Sequence, residues 1–495
     1  MKIFTSLIIC FITLIGVRAE IKIQNSGFEE WEPKKAPEKN TCKFTDGTNP
    51  KGWGVGDRVR SKDAKKTETC SPDDKIFHGG KLSCKISNSN PKKMLRVVRF
   101  CFAPITGGKF YRFSVWLKGQ GIKPARGNNG IMLQFIPGSK KHYWSDKRYA
   151  IEIVPLKGDF DWKKVSVVFP VRSEEEMAGL AIGLQRATGT LWIDDVSLEE
   201  VTESEYIAQL KKNITSKVKP DVWRKPYGPH SRQKFTLFLP KSKKPAPVLV
   251  SIHGGGWLGG DGLRDADTGR LDGLVKYMNA RGIAVAAINY RFSPLPDPVY
   301  DAARAIQYLR AHAKEYNLDK TRFAATGFSA GATTSLWLAL HDDLADPKSK
   351  DPVLRESTRL KGAYILGVQS SIDPVTIRSW KIGDAIRHQM ICRAAGFKSN
   401  KEMDAKYETK KDVYKEFSPI THASKDDPEV RISARSPLSN KRDWIHHPVF
   451  GYEFKKHADK VGALCDIELS DQDKKLVPPV KDRNGYEFLV RVLTK

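Results

Sequence analysis

The sequence predicts a multidomain chain: an all-β half followed by an α/β half. Three observations carry that expectation. The chain has 495 residues, more than one ordinary domain holds. Up to about residue 200 it runs in short alternating apolar stretches between Gly, Pro and Asn clusters. From Phe235 onward, strand-like runs alternate with longer amphipathic ones.

Composition narrows the classes. Hydrophobic residues make up 40% and aromatics 10%, enough for sizeable cores and against wholesale disorder. No run of eighteen apolar residues follows the first twenty positions, which argues against a membrane-spanning chain. Lys and Arg number 84 against 57 Asp and Glu, a net charge of +27. Such an excess favours anionic partners. No block of five or six consecutive basic residues marks a nucleic-acid arm.

Residues 1–19 read as a signal peptide. Met1 and Lys2 start it, Ile3 to Val17 form its apolar core, and Val17-Arg18-Ala19 resembles a small-residue cleavage site before Glu20. The protein is therefore expected to be secreted or periplasmic. Removing Cys10 leaves Cys42, Cys70, Cys84 and Cys101 in one region and Cys392 and Cys465 in another. An even number in each region of an exported chain predicts disulfides within each group. No CxxC spacing suggests a cysteine zinc site.

Residues 20–200 are expected to form a β-sandwich or jelly roll. Strands are predicted at Lys81 to Ser87, Leu95 to Phe102, Phe110 to Lys118, Ile131 to Ile136, Lys163 to Pro170 and Leu191 to Leu198. Turn clusters such as Ser87-Asn88-Ser89-Asn90-Pro91 separate them. Four motifs occur in order: Asn25-Ser26-Gly27-Phe28-Glu29, His78-Gly79-Gly80-Lys81-Leu82-Ser83, Tyr111 to Lys118, and Leu191-Trp192-Ile193-Asp194-Asp195-Val196-Ser197-Leu198. Together they resemble the jelly-roll carbohydrate-binding modules found beside secreted glycan-active enzymes. The resemblance implies a structural calcium held by Glu29 with Asp194 or Asp195, the hard oxygen ligands that Ca²⁺ takes. Read without it, these are carboxylates at strand ends. Trp31, Trp53, Trp144 and Trp162 are candidate sugar platforms, whereas Trp116 and Trp192 are assigned to the core. A purely structural accessory domain is the other reading.

Residues 201–220 are polar and read as a linker, with a short helix over Ser204 to Lys212. Asn213-Ile214-Thr215 matches a glycosylation acceptor.

Residues 221–495 carry the α/β pattern. Strands are predicted at Pro247 to Ile252, Ala284 to Asn289, Arg322 to Thr326, Leu360 to Gln369, Val430 to Ala434 and Cys465 to Leu469. Helices are predicted at Gly269 to Arg281, Pro298 to Glu315, Ala330 to His341 and Val449 to Val461. Such alternation argues a parallel sheet. Gly327-Phe328-Ser329-Ala330-Gly331 follows a predicted strand and opens a predicted helix, the context in which G-x-S-x-G presents a nucleophilic serine. His253-Gly254-Gly255-Gly256-Trp257 follows an earlier strand. The N–H groups of Gly254, Gly255 and Ala330 are candidates for an oxyanion hole. His253 itself is read as bracing its loop.

With Asn289-Tyr290-Arg291, Asp301 and Asn317-Leu318-Asp319-Lys320-Thr321-Arg322, these motifs resemble α/β-hydrolase esterases of the hormone-sensitive-lipase and acetylxylan/feruloyl esterase type. The resemblance implies a serine carboxylic-ester hydrolase that needs no cofactor and acts on acetyl or feruloyl groups. A polysaccharide, possibly anionic, is the expected partner. Neither nucleic acid nor, after signal removal, a membrane is expected as one. Arg291 and Asp301 are expected to pair structurally.

One position departs from the pattern. Such a hydrolase carries its histidine after the last strand, but Ser470-Asp471-Gln472-Asp473-Lys474-Lys475 contains none. By position Asp443 is the expected acid, with Asp373 in reserve. His446 or His447 is the expected base, and Pro448 would start the following helix. The competing expectation is a catalytically impaired, glycan-binding protein on the same fold.

Overall fold

The computed structural model describes residues 20–33, 48–56, 68–92, 94–125, 129–136, 151–171 and 175–495. The signal-peptide segment, Cys42, the Cys101 side chain and Trp144 lie outside the described residues. The chain divides into two compact units, the second beginning at Asn213.

The first unit consists of antiparallel sheets. One orders Gly158–Pro170, Phe110–Pro124, Ala187–Val201, Ser83–Asn88 and Glu68–Asp73, with Glu20–Ile21 added along Ala187–Val201. The other orders Ile151–Val154, Gly130–Phe135, Met177–Gln185, Met94–Pro104 and Gly54–Gly56. Alternate residues of both enter one core. Ile86, Phe113, Val115 and Leu117 come from the first, and Leu95, Val97, Leu133 and Ile182 from the second. Met177–Gln185 has no strand expectation from the sequence. Its Ala and Gly residues carry little β-propensity, yet it is central in its sheet and packs Ala181 on the opposite face.

The expected linker is largely structured. The helix Glu203–Lys212 joins the first unit through Arg112–Glu205 and through Gln209, which hydrogen-bonds both N–H and C=O of Val168. The expected disulfides are not formed among the described cysteines. Cys70 and Cys84 approach to 3.7 Å between sulfurs, well beyond the roughly 2.05 Å of an S–S bond. Cys392 and Cys465 are separate buried thiols, each directed at a backbone carbonyl, that of Phe397 or Asp466.

The second unit is built on an eight-stranded sheet. Its order is Val222–Pro226, Lys234–Phe238, Ala284–Ile288, Ala246–Ile252, Leu318–Phe328, Ala363–Leu366, Val430–Ala434 and Cys465–Leu469. The first two pairings, both made by Lys234–Phe238, are antiparallel and the rest are parallel. Ala284–Ile288 is buried at every position, as a strand covered on both faces requires. Helices Asp272–Asn279 and Gly485–Thr494 line one apolar core, Asp297–Ala311, Ala330–Leu340 and Val449–Val461 the other.

Two expected elements change. The predicted helix over 269–281 is Asp272–Asn279, preceded by a separate turn Gly262–Asp267 capped by the Asp261 carboxylate. The strand predicted over 360–369 is only Ala363–Leu366. Gln369 and Ser370 beyond it are drawn into side-chain hydrogen bonds instead. The closing helix Gly485–Thr494, capped by Asn484, was not expected. No helix among the described residues is long and apolar enough to cross a membrane.

Candidate active site

Ser329 sits where Leu318–Phe328 ends and Ala330–Leu340 begins. Its backbone has φ 56 and ψ −126, a sparsely populated conformation for a non-glycine residue. Two backbone bonds hold it there: Ser329 N–H donates to Leu366 O at 3.0 Å, and Thr333 N–H donates to Ser329 O at 2.9 Å. The elbow also needs a small residue at 331, since a Cβ there would lie 2.1 Å from Ile252 O.

His446 reaches this serine from the segment before Val449–Val461. Its Nε2 lies 2.9 Å from Ser329 Oγ, and its Nδ1 lies 2.8 Å from Asp443 Oδ2. An ionised carboxylate can only accept, so Nδ1 carries the proton and Nε2 presents a lone pair to the hydroxyl. Asp443 Oδ1 also accepts the His446 backbone N–H at 3.3 Å. Burial would raise the Asp443 carboxyl, but bonding to His446 outweighs it and holds the group below its ordinary value. The ring of Phe328, 54% exposed, stands 4.9 Å from that of His446.

The other candidates take other roles. His447, the alternative base, points elsewhere: Nε2–H donates to Asn440 O at 2.7 Å, and Nδ1 accepts Val449 N–H at 3.3 Å. Pro448 is the N-cap of the helix Val449–Val461. Asp373, the reserve acid, caps the helix Pro374–Ser379 and accepts from Tyr407 Oη at 2.7 Å. His253 stacks on Tyr290 with 4.1 Å between ring centres, and its Nδ1–H donates to Gly254 O at 2.7 Å. Burial, aided by Arg232, pushes its ring down to about 4, so it is neutral near neutral pH. Arg291 pairs with the buried Asp301 at 2.7 Å, and Gln233 completes that carboxylate.

Gly254 lies against the serine: a Cβ there would come within 3.2 Å of Ser329 Cβ. Gly255 has φ +112, a conformation suited to glycine. Ala330 is the first residue of its helix, so its N–H has no intrahelical partner. Gly254 and Ala330 thus lie beside Ser329, and Gly255 is the next residue along the same loop.

Gln369 is a site residue that motif reading missed. Its Nε2–H₂ donates to Ile445 O at 2.7 Å and to Gly367 O at 3.0 Å, while its Oε1 accepts from Thr333 Oγ at 3.1 Å. One buried amide thus ties the residue preceding His446 to the first turn after Ser329. No local pattern signals it, because Thr333 and Ile445 are distant in sequence.

In the first unit, Glu29 and Asp194 brace the same loop. Asp194 accepts N–H groups of His78, Gly79 and Asp195, and Glu29 those of Lys81 and Leu82. Burial pushes Asp194 up to about 6. Trp53, a candidate platform, is buried with its indole N–H on Asn25 O. Trp116, assigned to the core, is instead partly exposed and stacks on His78.

Residues 235–434 match the BD-FAE family model. The match contains the glycine loop and Ser329 but ends before Asp443 and His446. Over 212 residues the chain is 30% identical to the "Probable carboxylic ester hydrolase LipM" of Mycobacterium tuberculosis (strain ATCC 25618 / H37Rv), covering 42% of each chain. It is 34% identical over 142 residues to the "Probable isoprenylcysteine alpha-carbonyl methylesterase ICME" of Oryza sativa subsp. japonica, covering 28% of this chain and 33% of that one. The chain thus spans less than half the length of either relative. Among solved structures, a "Truncated form of carbohydrate esterase from gut microbiota" aligns with TM-score 0.42 and 18% identity, covering 57% of this chain and 99% of that one.

Proposed function

We propose that the protein is a serine carboxylic-ester hydrolase. The observation that carries this reading is the pair of contacts made by His446, 2.9 Å to Ser329 Oγ and 2.8 Å to Asp443 Oδ2. His446 Nε2 takes the hydroxyl proton as Ser329 Oγ attacks the ester carbonyl. Asp443 keeps the ring in that tautomer and stabilises the imidazolium. The N–H groups of Gly254, Gly255 and Ala330 take the negative charge of the tetrahedral intermediate. The imidazolium then protonates the departing alkoxide, leaving an acyl-serine. Water, deprotonated by the same ring, releases the acid. No cofactor is needed.

The alternative, an impaired binding protein, rested on the missing histidine after Cys465–Leu469. A base within hydrogen-bond reach of Ser329 supports hydrolysis over it. The test is turnover of p-nitrophenyl acetate with a burst of nitrophenolate. Ser329→Ala should abolish both, and serine-independent release would overturn the reading.

The substrate class we propose is an acylated polysaccharide, acetylated or feruloylated, met outside the cell by an exported protein. The first unit, read as a jelly-roll module, would hold the enzyme near its glycan and raise the local ester concentration. A cleft of 430 Å³ in that unit supports this, lined by Lys118, Gln120, Asp159, Asp161, Phe160 and Trp192. It combines hydrogen-bonding groups with the partly exposed Phe160 ring, the mixture sugars require. Net charge +27 favours an anionic glycan. Retardation of the Ser329→Ala chain in affinity electrophoresis on acidic against neutral polysaccharides tests it; no retardation on any glycan leaves the unit a structural accessory.

A further inference from the structure

We propose that His341, Glu416 and His422 bind a divalent transition-metal ion of the zinc type. Each offers one ligand atom, and the three atoms lie within 4.8 Å of one another. The cluster belongs to the second unit but not to the serine site. His341 closes the helix that Ser329 opens, which spaces the two by roughly 18 Å.

The hydrogen bonds around His341 point to a cation. Its Nδ1 lies 2.8 Å from the backbone carbonyl of Asp342. A carbonyl only accepts, so Nδ1 carries the proton. In the neutral ring Nε2 is then a bare lone pair, and it faces Glu416 Oε1 at 3.1 Å. Two acceptors hold that distance only if a proton lies between them, on the ring or on the carboxyl, or a cation lies against both. A carbonyl behind the distal nitrogen is the usual support of a metal-bound histidine. Zinc bonds of about 2.0–2.2 Å place neighbouring ligand atoms roughly 3.4 Å apart, between the 3.1 Å and 3.9 Å at which Glu416 Oε1 faces the two rings.

His422 supplies the third ligand. Its Nε2 is 3.9 Å from Glu416 Oε1 and donates to Glu416 O at 2.6 Å. To ligate through Nε2 it must release that bond and adopt the other tautomer. The carbonyl is not orphaned, because Trp337 Nε1–H also donates to it at 2.8 Å. Trp337 stacks on the His341 ring with 4.0 Å between ring centres, so the indole fixes both sides of the site. The side chains of His341, Glu416 and His422 keep 18%, 41% and 19% of their surface exposed. An ion can therefore enter from solvent, and water can fill the fourth position.

The bound ion would fasten the end of Ala330–Leu340 to the segment 416–422. The test uses the untagged full chain, stripped with chelator and titrated with zinc chloride by calorimetry. One equivalent should bind, raise the unfolding temperature and be removed again by chelator. Glu416→Gln and His422→Ala should each weaken binding at least tenfold with unchanged circular dichroism, while His446→Ala should keep it. No binding by the wild-type chain, the outcome expected if His341 and Glu416 are only an imidazolium–carboxylate pair, overturns the proposal. So does unchanged affinity in both variants, or loss of binding with His446→Ala.

Discussion

His446 Nε2 lies 2.9 Å from Ser329 Oγ across 117 residues of sequence. The serine is fixed by its strand and helix, but the histidine comes from an irregular segment. What fixes the histidine is the Asp443 carboxylate on its ring and the hydrogen bond from Gln369 to the preceding carbonyl. The two adjacent histidines are therefore expected to behave differently. His446→Ala should lower kcat on p-nitrophenyl acetate by about four to six orders of magnitude. His447→Ala removes a loop brace and should stay within about tenfold of wild type. Equal losses in the two variants, with both folded by circular dichroism, would contradict the assignment of the base.

Asp443 acts on the ring rather than on the substrate. In Asp443→Asn the side-chain amide can donate to Nδ1, which moves the ring proton to Nε2. The lone pair that should accept from Ser329 is then lost. We expect kcat to fall by about two to four orders of magnitude with KM within a few-fold of wild type. The lower part of that range is credible because Asp443 is 53% exposed, so water can take over some of its role. A rise in KM at unchanged kcat would instead assign Asp443 to substrate binding.

Gln369 is a positioning residue, and its removal should misplace the base without touching the nucleophile. Gln369→Leu keeps the volume and leaves the carbonyl of Ile445 without its donor. That should cost about 1–3 kcal/mol of stability, read as a lower urea midpoint. It should also lower kcat by about ten- to a hundredfold while KM stays near wild type. The acyl-enzyme burst should persist with reduced rate. A stability loss with unchanged kcat would make Gln369 only a core bond.

Much of this was legible in the sequence for physical reasons. A serine in G-x-S-x-G between a strand and a helix has one geometry, and glycines after an earlier strand bring a second backbone to it. Asp443 was named by its position in the sheet order, whereas the base was legible only as the pair His446 and His447, because that position names the loop but not the ring. Which of His446 and His447 faces the serine depends on the turn before Val449–Val461. Gln369 was invisible, since its value lies in Thr333 and Ile445, partners that the fold alone brings to it. In the first unit the long alternating strands were readable, whereas Met177–Gln185 hides behind small residues. Among the described cysteines the disulfides inferred from parity are not formed, because parity says nothing about distance, and Cys392 and Cys465 are buried as separate thiols.

The structural calcium that the carbohydrate-module resemblance implies can be tested through Asp194. Burial raises its carboxyl to about 6, above the ordinary 3.8 expected in the unfolded chain. The folded unit therefore binds this proton more readily than the unfolded one. The resulting stabilisation is complete below pH 3.8, and it is lost as pH rises through about 6. Without metal, the thermal transition of the unit should thus shift upward between pH 7 and pH 5, apart from the titration of other groups. Asp194→Asn should flatten that shift, because the amide neither titrates nor pays for charge. Calcium supplies the opposite compensation: a cation between Glu29 and Asp194 favours the ionised form. Added CaCl₂ should then raise the transition at pH 7 and do less at pH 5, where protons compete for the same oxygens, and Asp194→Asn should abolish the response. If calcium leaves the wild-type transition unchanged at both pH values, the two carboxylates serve only as acceptors for the backbone N–H groups of the 78–82 loop.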